Sequence, residues 1–180
     1  MSYTNNFVRF VKRPEGRPTP DVFELLSEDV RELRPNEFLI KNAYISMDPA
    51  LVGRMRDEDN YADKVEPGDV MQAYGVGQVI ASRNAKVKVG EVRLGLLNMQ
   101  EYCIQSDPDQ FKPINLGLAD ASAYLSVVGV TGATAYFGLF DICQPKAGET
   151  IVISAGGSSV GTVVAQLAKQ IGCRTVAIVS

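Results

Sequence analysis

Through residues 1 to about 120 the apolar positions come in short, β-branched runs broken by proline, glycine, aspartate and asparagine, the punctuation of a chain that reverses often. EFLIKNAYISMD (37–48) predicts one strand, and VMQAYGVGQVIAS (70–82) predicts another whose glycines mark bends or a bulge. In KVKVGEVRLGLL (86–97), Val87 and Val89 alternate, then Val92 and Leu94, so two strands meeting at a turn on Gly90 are expected. Short strands in this number predict a partly open β-barrel. MRDEDNYADK (55–64) reads as a charged excursion over the surface.

The pattern changes after INLGLADASAYLS, which places a domain boundary near residue 120: a β-rich domain over 1–120 and a second over 121–180. From Ala121 to Cys143 small and apolar residues dominate, and ATAYFGLFDIC (133–143) predicts a helix ending before Pro145 and Gly148. TIVIS (150–154) is a short run of the kind buried in parallel sheets. From Val160, apolar residues recur at Val163, Val164, Leu167, Ala168 and Ile171, the spacing of a helix with one buried face, and Gly172 suits its C-terminal cap. RTVAIV (174–179) is a second buried strand. Strand, helix and strand together have the size of one βαβ unit.

The chemistry is concentrated in SAGGSSVG (154–161), between the first of these strands and the helix. A glycine-rich turn in that place exposes backbone N–H groups and the positive end of the helix dipole, both suited to a pyrophosphate. Gly156 fits the tight turn and Gly161 a close helix–strand approach; Gly157, Ser159 and Val160 complete the loop. The middle position of the fingerprint is Ser158, whose Cβ hinders close approach while its hydroxyl can donate to a phosphate oxygen. The competing reading is a βα turn with no ligand. A carboxylate ending the second strand would accept from an NAD ribose and repel a 2′-phosphate. Val179 and Ser180 stand there, so NADP(H) is favoured.

Composition narrows the remaining classes. A net charge of −3 and a pI near 5.1 argue against nucleic acid as a partner. No uninterrupted apolar stretch reaches the ~18–20 residues needed to cross a bilayer. The N-terminus shows no signal-peptide pattern, which makes a cytoplasmic location the expectation. There is no histidine, and Cys103, Cys143 and Cys173 are far apart with no Cys-x-x-Cys pair, so no metal site is expected and the thiols read as reduced and partly buried.

In order along the chain, YISMDPALVGRM (44–55), TGATAYFGL (131–139) and DICQPKAGETIVISA (141–155), running on into the glycine loop, resemble the medium-chain dehydrogenase/reductases. The resemblance is to their zinc-free branch of prostaglandin reductases, leukotriene B4 dehydrogenases and curcumin reductases, and it extends from about Val8 to Ser180. It implies a GroES-like catalytic β-barrel followed by the first part of an α/β Rossmann domain, and NADPH-dependent reduction of the C=C bond of α,β-unsaturated ketones and aldehydes. It also implies a homo-oligomer. Met47, Asp48 and Ala50 would line the substrate cleft, Thr131 and Thr134 would approach the nicotinamide, and Tyr44 and Tyr74 are candidates to donate to the substrate carbonyl, or else packed strand tyrosines.

The sequence departs from the branch at four places. Ala50, Leu51 and Val52 replace Tyr-Met-Arg; NMQEY (98–102) replaces Gly-Trp-Gln-Glu-Tyr; Ser158 replaces a glycine; Arg93 replaces an apolar residue. A quinone oxidoreductase and a catalytically silent nucleotide-binding protein stay open as alternatives. A doubly wound sheet has further strands on both sides of the two found here, so the chain is expected to be part of a longer enzyme.

Overall fold

The computed structural model describes residues 2–58 and 63–179, and the chain divides into two compact units, Met1–Leu116 and Gly117–Ser180. In the first, β1 (Thr4–Phe10) and β2 (Phe23–Asp29) form an antiparallel ribbon. A five-stranded antiparallel sheet follows the order β6-β3-β4-β5-β7. Its members are β3 (Phe38–Ile45), β4 (Tyr74–Ser82), β5 (Val92–Leu96), β6 (Tyr102–Gln105) and the short β7 (Lys112–Pro113). Helix α1 (Ala50–Met55) follows β3.

Two apolar clusters hold this unit together. Phe38, Ile40, Val79, Leu97 and Phe111 fill the sheet's inner face. Phe10, Val22, Leu51, Met55, Val65 and Met71 join the ribbon to α1. Each such fully buried side chain contributes about 2 kcal/mol through the apolar area taken from water. Between β3 and β4 the register shifts at Leu39/Ile40 and again at Asn42/Tyr44, the irregularity that the β4 glycines predict. A Cβ on Gly77 would lie 2.6 Å from the Lys41 carbonyl oxygen.

Several expectations are corrected. Only Val92–Leu96 of the segment 86–97 is a strand. Asn84 turns the chain instead: its side-chain oxygen accepts from Lys86 N at 2.9 Å and its carbonyl from Val87 N at 3.2 Å. Val87 still reaches the core, while Val89 is exposed. The turn at Gly90 (φ +94°) forms as expected. β3 stops at Ile45, before the Ser46–Asp48 turn, and β4 starts only at Tyr74, with Val70 making a single bridge to Arg9. Of the charged excursion at 55–64, Met55 is buried in the core and residues 59–62 lie outside the described residues. The thiols differ from one another: Cys103 and Cys173 are buried and Cys143 is exposed. Burial pushes the Cys103 thiol up to about 11.

Arg93, a departure from the resembling family, is nearly inaccessible. Its guanidinium donates to the Phe111 carbonyl at 2.6 Å, to the Pro108 carbonyl at 3.1 Å and to the Glu91 carboxylate at 2.6 Å. A buried charge needs such partners, and here they tie β5 to the segment leading into β7.

The second unit carries α2 (Val130–Phe137), β8 (Thr150–Ile153), α3 (Ser159–Gln170) and β9 (Arg174–Ala177). Helix α2 begins three residues earlier than the sequence pattern implies, and Gly138–Cys143 continues it as a π-helical turn. Gln144, at φ 47°, ends it before Pro145. β8 and β9 run parallel, Thr150 opposite Arg174 and Ile153 opposite Ala177. α3 ends as predicted: with Gly172 at φ +85°, Gly172 N donates to Lys169 O and Cys173 N to Ala168 O, the paired bonds of a Schellman cap.

Candidate functional site

The glycine loop is shaped by close backbone approaches. β8 leaves its sheet at Ala155, which takes the left-handed conformation (φ 52°). Gly156 does not carry the positive φ a tight turn would require. A Cβ there would instead lie 2.5 Å from the Ala177 Cβ on β9, so its lack of a side chain serves strand packing. At Gly161 an added Cβ would meet the Ala155 carbonyl oxygen at 2.5 Å and the Gly156 Cα at 2.9 Å. The close approach expected of this position is therefore made to the turn that follows β8, not to the strand itself. Gly157 is open: its nearest neighbour would be Val179 Cγ1 at 3.8 Å.

Ser158 is the N-cap of α3, its hydroxyl oxygen accepting from Gly161 N at 3.1 Å. The hydroxyl hydrogen is left for another acceptor. Gly156 N donates to Ile178 O and Ser158 N to Ala155 O, each at 2.9 Å. Among the described residues, the N–H groups of Gly157, Ser159 and Val160 have no protein partner. Three free donors at the start of a twelve-residue helix form a candidate cradle, being of the kind that can meet an anion. Val179 stands beside it and Ser180 lies outside the described residues.

The other sequence candidates fall in two places. Thr131 and Thr134 occupy the first turns of α2, where Thr134 Oγ1 donates to the Val130 carbonyl at 2.8 Å. No hydrogen bond links them to the glycine loop. In the first unit Tyr44 and Met47 border one groove, and Tyr74 touches the same segment through its carbonyl, which accepts from Ser46 N at 2.8 Å. Asp48 accepts from Ser46 Oγ at 2.8 Å, and Ala50 is exposed at the start of α1. Tyr44 and Tyr74 are about half exposed, and among the described residues their phenol oxygens have no hydrogen-bond partner. The groove also takes in Met99, which stands where the family pattern has tryptophan, and Leu25, which the sequence pattern did not single out.

A family model described as the N-terminal domain of oxidoreductase matches residues 6–114. The NADPH-dependent curcumin reductase of Escherichia coli is 39% identical over 92% of this chain and 48% of its own length. Prostaglandin reductase 1 of Sus scrofa is 36% identical over 89% of this chain and 47% of its own. The chain belongs to the zinc-free medium-chain dehydrogenase/reductases. The crystal structure of CurA from Vibrio vulnificus in complex with NADPH superposes with a TM-score of 0.88 at 36% identity, covering 97% of this chain and 52% of that one. The chain thus spans about half the length of the relatives it matches. Its architecture is that of the family: a GroES-like barrel, then the first strand–helix–strand of a Rossmann domain.

Two departures from the family pattern find local reasons. Asn98, in place of a glycine, holds φ +64°, a conformation asparagine tolerates better than other side-chain-bearing residues. Leu51 points from α1 into the core, so of the three replaced positions only the exposed Ala50 and the half-buried Val52 change the surface there.

Proposed function

We propose that the chain forms the barrel and the pyrophosphate-binding part of an NADPH-dependent ene-reductase, acting on α,β-unsaturated ketones and aldehydes as a soluble cytoplasmic homo-oligomer. The observation that carries the reading is the cradle of three unpartnered N–H groups at Gly157, Ser159 and Val160, in a chain whose relatives include an NADPH-dependent reductase. When bound, NADPH supplies a hydride to the β-carbon of the enone, and a proton from solvent at the α-carbon completes the saturated carbonyl product.

The chain's own residues bind and orient. The cradle and the α3 dipole hold the pyrophosphate, the open face of Gly157 admits it, and the Ser158 hydroxyl donates to a phosphate oxygen while keeping its cap. Val179, without charge, tolerates a 2′-phosphate. Thr131 and Thr134 face the nicotinamide end; Met47, Asp48 and Ala50 line the substrate cleft. Tyr44 and Tyr74 have phenol hydrogens free to donate to a developing enolate oxygen.

Titration with NADPH, followed by amide resonances, tests the reading. Residues 157–161 should shift saturably and NADH should bind more weakly. Unmoved loop resonances would overturn it, and turnover of quinones in preference to enones would replace the substrate class.

A further inference from the structure

Five glycines, Gly16, Gly68, Gly90, Gly148 and Gly172, take the positive φ that side chains resist, and so, among the described residues, do four others. Three of the four, Asn36, Asn98 and Gln144, carry amides, and asparagine is the side-chain-bearing residue that enters this region most readily. The fourth is Ala155, at φ 52°. Its Cβ crowds the carbonyl oxygen that follows it, and it has no polar group to offset this. Ala155 is exposed, so no packing of its methyl accounts for the conformation.

The hydrogen bonds around Ala155 show what opposes the strain. Ile178 N donates to Ile153 O at 2.9 Å, and the even spacing of a parallel ladder would next place Ala155 N on Ile178 O. Gly156 N takes that carbonyl instead, at 2.9 Å, and Ala155 N has no partner among the described residues. The left-handed residue thus slips the ladder by one. It also turns Ala155 O onto Ser158 N at 2.9 Å, so both ends of the peptide between Ala155 and Gly156 are clamped. Ile178 O therefore has two candidate donors one residue apart. With Ala155 extended, its own N–H would continue the ladder, Gly156 N would be released, and the turn that ends at Ser158 N would open. That turn aims the N–H groups of Gly157, Ser159 and Val160, so the two arrangements differ in whether the cradle exists.

We propose that the glycine loop is a two-state element in which the Ala155 side chain favours the extended arrangement and a bound pyrophosphate the left-handed one. The proposal rests on the pyrophosphate reading and adds a regulation of the same site: the cofactor secures a conformation that the free loop leaves at intervals. The test is ¹⁵N relaxation dispersion on the whole chain, with NADPH as the ligand. The amides of Ala155, Gly156 and Ser158 should show exchange on the microsecond-to-millisecond scale in the free protein. Saturating NADPH should abolish it, and so should Ala155→Gly, which removes the side chain's bias. Ala155→Val and Ala155→Asn, similar in size and opposite in their tolerance of positive φ, separate conformation from bulk. The asparagine variant should keep NADPH affinity within about twofold, and the valine variant should lose about tenfold or more. Flat dispersion in the free wild type, exchange that survives NADPH, or equal losses in the two variants would each overturn the proposal. If Ala155→Val unfolds the second unit, the dispersion of the wild type and of Ala155→Gly decides. Unmoved amides at 157–161 on adding NADPH refute the cradle reading and the proposal with it; moving amides with flat dispersion refute the slip alone.

Discussion

At the scale of single residues, the tightest constraint is Gly161. With the Ala155 carbonyl oxygen 2.5 Å from where a Cβ would stand, Gly161→Val must push α3 away from β8 and distort the cradle. We expect a loss of about 2–4 kcal/mol in denaturant unfolding and at least a tenfold loss in NADPH affinity by titration; an unchanged affinity would mean the loop does not hold the cofactor. Val179 is the complementary case, exposed and beside the open face of Gly157. Val179→Asp should leave folding intact and lower the NADPH-over-NADH preference about tenfold, measured by competitive titration. In the first unit, Glu37 is hydrogen-bonded by Arg31 and by Arg34 N, which hold its carboxyl at about 2 against an ordinary 4.5. A lowered carboxyl contributes stability above its unfolded value that is lost as pH falls through the folded one. The urea midpoint should therefore drop between pH 4.5 and pH 2, and drop less in Glu37→Gln.

At the scale of elements, what was legible followed from periodicity. The β8–α3–β9 unit could be read from its sequence because β-branched runs and helical spacing mark each segment separately, and Gly172 announces the cap of α3 chemically; the two strands expected to be buried are instead largely open, with Val152 and Val176 exposed. The ribbon β1–β2 was hidden because FELLSED leaves Leu25 exposed and has no clean alternation. The valines at 87 and 89 misled for the opposite reason: they alternate, but a turn at Asn84 turns one inward and leaves the other bare. The free N–H groups of the cradle could be anticipated from the loop's position, whereas the groove could not, since Leu25 and Met99 meet Tyr44 only through strand pairing distant in sequence. Arg93 looked like a disruption in β5 and proves to be a clasp. Arg93→Met keeps the volume but strands the Phe111 and Pro108 carbonyls and the Glu91 carboxylate. Glu91 retains solvent access, so we expect about 2–3 kcal/mol in chemical denaturation, below the cost of breaking a fully buried pair.

At the scale of the whole molecule, the two units differ in how completely their sheets are covered. The barrel unit has a five-stranded antiparallel sheet besides the β1–β2 ribbon, and Phe38, Ile40 and Val79 on the sheet's inner face are almost fully excluded from solvent. The second unit pairs only two strands among the described residues. Ile151 packs against the cluster that holds α3 and Ile153 is buried, but Val152, Val176 and Ile178 remain exposed. Parallel sheets are normally covered on both faces, and two strands alone are marginal in water. Local opening should therefore cost far less in the second unit. Native-state hydrogen exchange should show the amides of Ile40 and Val79 exchanging only with global unfolding, and those of Val152 and Val176 at least a hundredfold faster, a difference of about 2.7 kcal/mol. Adding NADPH should slow exchange in β8 and β9 and leave the barrel amides unchanged, because the cradle joins both strands through Ala155, Gly156 and Ala177. Equal protection in the two units before NADPH is added would mean that the exposed face of β8 and β9 is covered in solution, and the place to look for what covers it would be Val152.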